Sequence, residues 1–244
     1  MVHARTLDGE VLDFGHSGLL YRSSFLLYDH GTKSLWHHVH GRALTGRMRG
    51  KQLDPIPSQF VKWEVWKKSH PGTKVLAKDP TRVEHTRDPF RERNLELKLT
   101  FGLGILAGDE ARLYEHSELE KSGVVLETVG GEPIVVLHHP PTATTVAWKR
   151  TVEERVLDLR RGEDGDDGLP RLEETGADRS VFHPVTGECL TGPLRGKHLD
   201  PVVASNWETY AWFAHHPDGT AFRASVPGPV DLPEVPEEED GDER

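Results

Sequence analysis

The sequence predicts a β-rich α+β fold: an internal repeat of a mixed module of short antiparallel strands, with one aromatic-rich helix per copy. Three observations carry this. Short apolar runs bounded by Gly, Pro or Asp read as strands: "EVLDF", "SSFLLYD", "KVLA", "LKLTFGLGIL", "ARLYE", "PIVVL", "TTVAWKR" and "ERVLDL". The clearest helices are "FVKWEVWKKSH" and "NWETYAWFAHH", each ending at His-Pro, where proline disfavours a helical conformation in the residue before it. Third, "GRALTGRMRGKQLDP" (41–55) returns as "GECLTGPLRGKHLDP" (187–201).

The offset of that repeat is 146, and at it Ser34–Pro71 and Ser180–Pro217 share 16 of 38 residues without a gap. Upstream the offset is 145, where Arg5, Thr6, Val11, Leu12 and Asp13 match Arg150, Thr151, Val156, Leu157 and Asp158. Residues 1–78 are therefore expected to be a partial first module. Residues 79–225 are expected to be a complete second module, packed with the first as one unit. The stretch 79–146 has no earlier counterpart; the expectation is a first module lacking its opening third, the alternative a segment shared by both halves. It reads as strand, turn at Gly108-Asp109, strand, short helix, strand, turn at Gly130-Gly131, strand. Residues 226–244 read as an acidic, disordered tail.

On the helices, Trp63 and Trp66 lie at i, i+3, as do Trp207 and Tyr210, with Trp212 two further on; this spacing predicts an aromatic ridge facing the core. Gly46, Gly50, Gly192 and Gly196 mark tight turns. Asp54-Pro55 and Asp200-Pro201 start the turn towards each helix.

The chain has 244 residues, a net charge of −10 and a single cysteine, Cys189. A disulfide framework is impossible within it, and cysteine-based zinc or iron–sulfur ligation is implausible. No apolar run reaches the length of a membrane span. The N-terminus has no apolar signal core. The acid excess argues against nucleic-acid partners. The acidic runs "GEDGDDG" (162–168) and "EEEDGDER" (237–244) read as solvated surface.

The segment "SLWHHVHG" (34–41) sets His37, His38 and His40 within four positions. The repeat acts as an internal control. His37 matches His183 and His70 matches His216, so these read as structural, the latter pair at helix C-termini. His38 and His40 face Pro184 and Thr186 in the other copy. In an extended segment His38 and His40 would project to one side and His37 to the other. A His-x-His pair is a partial ligand set for zinc or copper. The third ligand is sought among His16, His30, His116, His138 and His139. The metal-site candidates are thus His38, His40, His16 and His139, with His37 as the structural control. Other constellations are absent: "FGHSG" lacks the order of a nucleophile elbow, "GLG" (102–104) lacks the spacing of dinucleotide or phosphate loops, and Cys189 reads as a small packed residue.

The stretch from "TLDGEVLDFGHSGLLYRSSFLLYDHGTKSLW" through "GRALTGRMRGKQL" to "WEVWKKSHPGT" resembles the bacterial and archaeal domain-of-unknown-function family 3179. Asp8, Gly9, Phe14, Gly15, Ser17, Tyr28, Asp29, Thr32, Ser34, Trp36, Gly41, Gly46, Gly50, Trp63, Trp66, His70 and Pro71 fit its spaced pattern. The similarity covers most of residues 4–224. The resemblance implies no established reaction. Members typically carry a C-P-x-C motif upstream of the Asp-Gly hairpin; here His139 stands near the first cysteine position and Thr142 near the second, a departure that puts in doubt any thiol chemistry the resemblance would imply.

The functional expectation is a binding or structural protein with a histidine-based transition-metal site taking zinc or copper. The alternatives are a metal-dependent hydrolase or oxidase, and a protein-interaction module using exposed Trp63, Trp66, Trp207 and Trp212. Substrate, small-molecule or protein partner, and compartment are left open by the sequence.

Overall fold

The computed structural model describes residues 1–22, 24–75, 100–176 and 179–224. The acidic tail at 226–244, the end of "KVLA", the start of "LKLT" and the 78/79 boundary lie outside the described residues. The strand-favouring runs pair into short, mostly antiparallel sheets. Phe14–Tyr21 (β1), Ser24–Asp29 (β2), Leu35–His37 (β3) and Arg42–Ala43 (β4) form one four-stranded sheet in that order. Helix α1 (Trp63–Ser69) follows. Phe101–Ala107 (β5) and Glu110–Glu115 (β6) turn at Gly108-Asp109 and lead into α2 (His116–Ser122). Val124–Val129 (β7), Glu132–His139 (β8) and Thr144–Lys149 (β9) form a meander. A second four-stranded sheet is built from Leu159–Asp164 (β10), Pro170–Glu174 (β11), Val181–Phe182 (β12) and Cys189–Thr191 (β13). Val203–Glu208 (β14) pairs with β5, α3 spans Thr209–His215, and Thr220–Ala221 (β15) runs parallel to β6.

β8 is the wall between two cores. Its run Ile134–Leu137 is at most 1% exposed on both faces, the pattern of a strand covered on each side. Because side chains alternate, Ile134 and Val136 enter a core with Leu103, Ile105, Tyr114 and Leu119. Val135 and Leu137 enter the other, with Trp148, Leu172, Phe182 and Cys189. Cys189 is 1% exposed and burial pushes its thiol up, so it behaves as a packed residue.

The first sheet is held by a buried carboxylate. Asp29, 1% exposed, accepts from Thr32 Oγ1 at 2.7 Å, Trp36 Nε1 at 3.0 Å and Ser34 N at 3.2 Å, and also from Thr32 N. Burial raises its pKa, but these hydrogen bonds outweigh it and hold the group below its ordinary value. They fix the β2–β3 turn, hence the place where β3 delivers His37.

The two stretches that match in sequence make matching backbone bonds. Gly41 N–H donates to His37 O at 2.8 Å and Gly187 N–H to His183 O at 2.9 Å. Leu53 and Leu199 donate to Gly41 O and Gly187 O, each at 2.9 Å. His70 and His216 donate to Trp66 O and Trp212 O, both at 2.8 Å, closing α1 and α3.

Three expectations are corrected. "NWE" (206–208) continues β14 rather than opening the helix, so Trp207 and Tyr210 do not share one helical face: Trp207 and Trp212 are 8% and 0% exposed, Tyr210 79%. Trp63 is 49% exposed instead of sitting in the core. The run at 162–168 is not wholly solvated, because the Asp167 carboxylate is drawn in by Arg171 Nη1 at 3.0 Å and His183 Nε2 at 2.9 Å.

Candidate metal centre

β3 ends at His37 and residues 38–41 form a turn, closed by the Gly41-to-His37 bond. Gly41 takes a φ of 64° there, and a Cβ on it would run into the His3 ring. The turn decides where the three imidazoles go. His40 swings back beside His37, with ring centroids 4.9 Å apart. His38 leaves on another course and stacks on Phe25 at 3.8 Å, its Nδ1 2.9 Å from Phe25 O. The expected pairing of His38 with His40 needs an extended strand through residue 40, and the strand stops at His37.

A third imidazole arrives from the other end of the chain. Trp212, fully buried, packs α3 onto Val39 of the turn together with Leu113 and Trp207. This sets the last residue of α3, His215, 5.1 Å from His37 and 5.6 Å from His40 between ring centroids. One nitrogen from each of His37, His40 and His215 lies within 4.8 Å of the others. Nitrogens sharing one zinc at about 2.0–2.1 Å stand about 3.3 Å apart in a tetrahedron, so binding closes the triad by at most about 1.5 Å. His37 and His215 are 1% and 6% exposed; His40 is half-buried.

Two ring nitrogens of the triad are buried without a partner among the described residues. Ser24 Oγ meets His215 Nε2 at 2.9 Å, which leaves Nδ1 as a buried atom with no partner among the described residues. His37 Nε2 is buried and unpartnered in the same sense. Such atoms cost free energy unless something fills the gap. Burial pushes His37 down to about 4, reinforced by His40, His215, His38 and Arg22. His40 is lowered by burial, His215, Arg22, Arg42 and His38, and His215 by burial, Arg22 and His38. All three rings are therefore held neutral at pH 7, the form that ligates a metal. His216, at the C-cap of α3, is 5.3 Å from the His40 ring and is also pushed down by burial, to about 4.

Of the residues singled out in the sequence, His40 is in the triad. His38, His16 and His139 are outside it. His16 is exposed, its ring 4.9 Å from Phe25; His139 Nδ1 bonds Thr142 Oγ1 at 2.8 Å. His37, expected on the opposite face, is the most buried member. Its match, His183, is held differently, with Nε2 on Asp167 Oδ2 at 2.9 Å and Nδ1 accepting from Val185 N and Thr186 N at 3.2 Å each. Sequence reasoning missed His215. The signal was present: at the offset of 146 it faces Ser69, a difference of the same kind as His40 against Thr186.

The triad meets a cleft of about 490 Å³ whose rim includes Tyr21, Arg22, Arg42 and Gln52. Asp109, Glu110 and Asp218 line a separate cleft that reaches His215 and His216. An all-imidazole triad with a face towards solvent suits zinc or copper and leaves room for an exogenous ligand.

No curated protein and no solved structure matches the chain. The family model described as "Protein of unknown function (DUF3179)" matches residues 1–219. With nearly the whole described chain inside that match, the protein belongs to the DUF3179 family.

Proposed function

We propose that this protein is a binding protein built around a transition-metal site whose ligands are His37, His40 and His215, holding zinc or copper. The observation that carries the reading is the juxtaposition of three neutral, largely buried imidazoles, two of which, His37 and His215, each hold a ring nitrogen with no partner among the described residues. We further propose that residues 1–78 and 147–224 are copies of one module, one copy's turn resting on the other copy's helix. Val39 packs on Trp212, and Val185 packs with Val65 and Trp66. In the second such contact Thr186 and Ser69 stand where the first has His40 and His215, so one contact holds the ligands and the other does not.

The test is metal analysis by plasma mass spectrometry on protein purified without a His tag, offered zinc or copper and then desalted. The expected result is one metal per chain, lost in His40→Ala and in His215→Ala. Metal-free protein, or full loading in both variants, overturns the site. The cleft beside the triad favours a second reading, a metal-dependent hydrolase or oxidase, in which the metal activates water or oxygen at its open position. Turnover of activated esters or of oxidisable substrates by loaded but not metal-free protein distinguishes it from a binding protein.

A further inference from the structure

The cleft shared by all three imidazoles is cationic in a chain that is acidic overall. Arg22 and Arg42 are the charged side chains on the rim of its cleft. Neither makes an ion pair among the described residues. The matching half of the chain has the opposite charges. At the offset of 145 Arg22 faces Asp167, and at 146 Arg42 faces Glu188. Asp167 there supplies its histidine, His183, with a carboxylate from within the chain, and Arg171 neutralises it. Around His37 that carboxylate is replaced by a guanidinium. A divalent metal on three neutral imidazoles adds two further positive charges. Low-dielectric surroundings make such an accumulation costly unless an anion joins it. Asp109, Glu110 and Asp218 line the neighbouring cleft and not this one.

We infer that the cleft binds a small oxyanion, a carboxylate or phosphate, as the outer ligand of the metal, clamped by Arg22 and Arg42. A guanidinium presents paired N–H donors that match two oxygens of such a group. Each such oxygen carries more than one lone pair, so an oxygen that accepts from a guanidinium can also ligate the metal. The inference rests on the triad proposed above.

The experiment uses the full chain loaded with cobalt(II), whose visible absorption reports changes in its coordination. Cobalt content is measured first. Less than one cobalt per chain overturns the metal reading, and this inference with it. With cobalt bound, sodium acetate, sodium phosphate and neutral acetamide are titrated at constant ionic strength. The expected result is a saturable spectral change with one or both anions and none with acetamide; the anion with the lower half-saturation identifies the source. In Arg22→Gln/Arg42→Gln the half-saturating concentration rises roughly tenfold or more, while cobalt content and Tm hold. Both arginines are exposed, so the variant is expected to fold. Arg22→Asp/Arg42→Glu, which copies the matching half, abolishes the response. A silent titration on fully loaded protein, or equal half-saturation in the wild type and the Gln variant, overturns the inference and leaves the metal reading standing.

Discussion

At the scale of single residues, the histidines tie function to stability. His37, His138 and His216 are each pushed by burial to about 4, against about 6.5 in an unfolded chain. Between those values the unfolded chain binds more protons, so stability is complete above pH 6.5 and is lost as pH falls towards 4. The urea midpoint of metal-free protein is expected to drop between pH 7 and 4.5. His138 lies outside the triad, on Thr145 Oγ1 at 2.8 Å, so His138→Gln should flatten that slope without touching metal content. A midpoint that stays level over this range would sink the argument. The same depression means that protons compete weakly with the metal. Loaded protein should keep its metal well below pH 6.5, and His38→Ala should keep it too, because His38 spends its Nδ1 on Phe25 O. Release of metal near pH 6.5 would show that the imidazoles are not held neutral. At this scale the sequence was half legible. His40 stood out because it differs from its match. His37 was discounted because it recurs, although recurrence of a residue type does not fix its partner: Asp167 in one half, a guanidinium and two imidazoles in the other.

At the scale of elements, the strands were legible because β-branched runs and glycine turns act locally, and β6, β7, β8 and β9 fall where those signals put them. The start of α3 was not. Its N-cap is Glu208, whose carboxylate accepts from Tyr210 N at 2.9 Å and Ala211 N at 2.8 Å. Glutamate is not among the residues that announce a helix start. Pairing of β14 with β5 extends the strand to that same residue, so a tertiary contact sets the boundary. The β2–β3 turn offers a sharper test of what an element contributes to the site. Asp29 gathers two backbone N–H groups, a hydroxyl and the Trp36 indole around one buried carboxylate. Asp29→Asn removes the charge and turns one acceptor into a donor facing donors. The expected cost is about 1.5–3 kcal/mol, read as a lower urea midpoint at pH 7. Metal stoichiometry in protein that remains folded should be unchanged, since the strand still ends at His37. A midpoint within error of the wild type would mean that the Asp29 network does not hold the turn.

At the scale of the whole molecule, the proposed site belongs to neither of the two proposed modules. His37 comes from the end of β3 and His40 from the turn after it, and His215 from α3 near the other end of the chain, a long-range contact that no local period in the sequence can announce. The opposite contact provides a test of the two-module reading. There Trp66 stacks on His70 at 3.8 Å, burial lowers His183 against the opposing Asp167 hydrogen bond, with Arg171 and then His70 adding to the lowering, and Thr186 lines the cleft with Trp66 and His70. His183 matches His37, so this contact already holds one of the three imidazoles; Thr186 and Ser69 stand in for the other two. If the halves are copies packed by the same rule, Ser69→His/Thr186→His places three imidazoles together again. His183 Nδ1 already accepts from Val185 N and Thr186 N, so a metal at this contact has to take Nε2 from Asp167. Metal analysis of the double variant should rise from one to two metals per chain, and adding His215→Ala should return it to one while the new site stays filled. Tm measured alongside separates misfolding from failure to bind. A folded double variant that still takes up a single metal would mean that the two contacts differ in geometry as well as in residues, and that the likeness of the halves ends at their backbone turns.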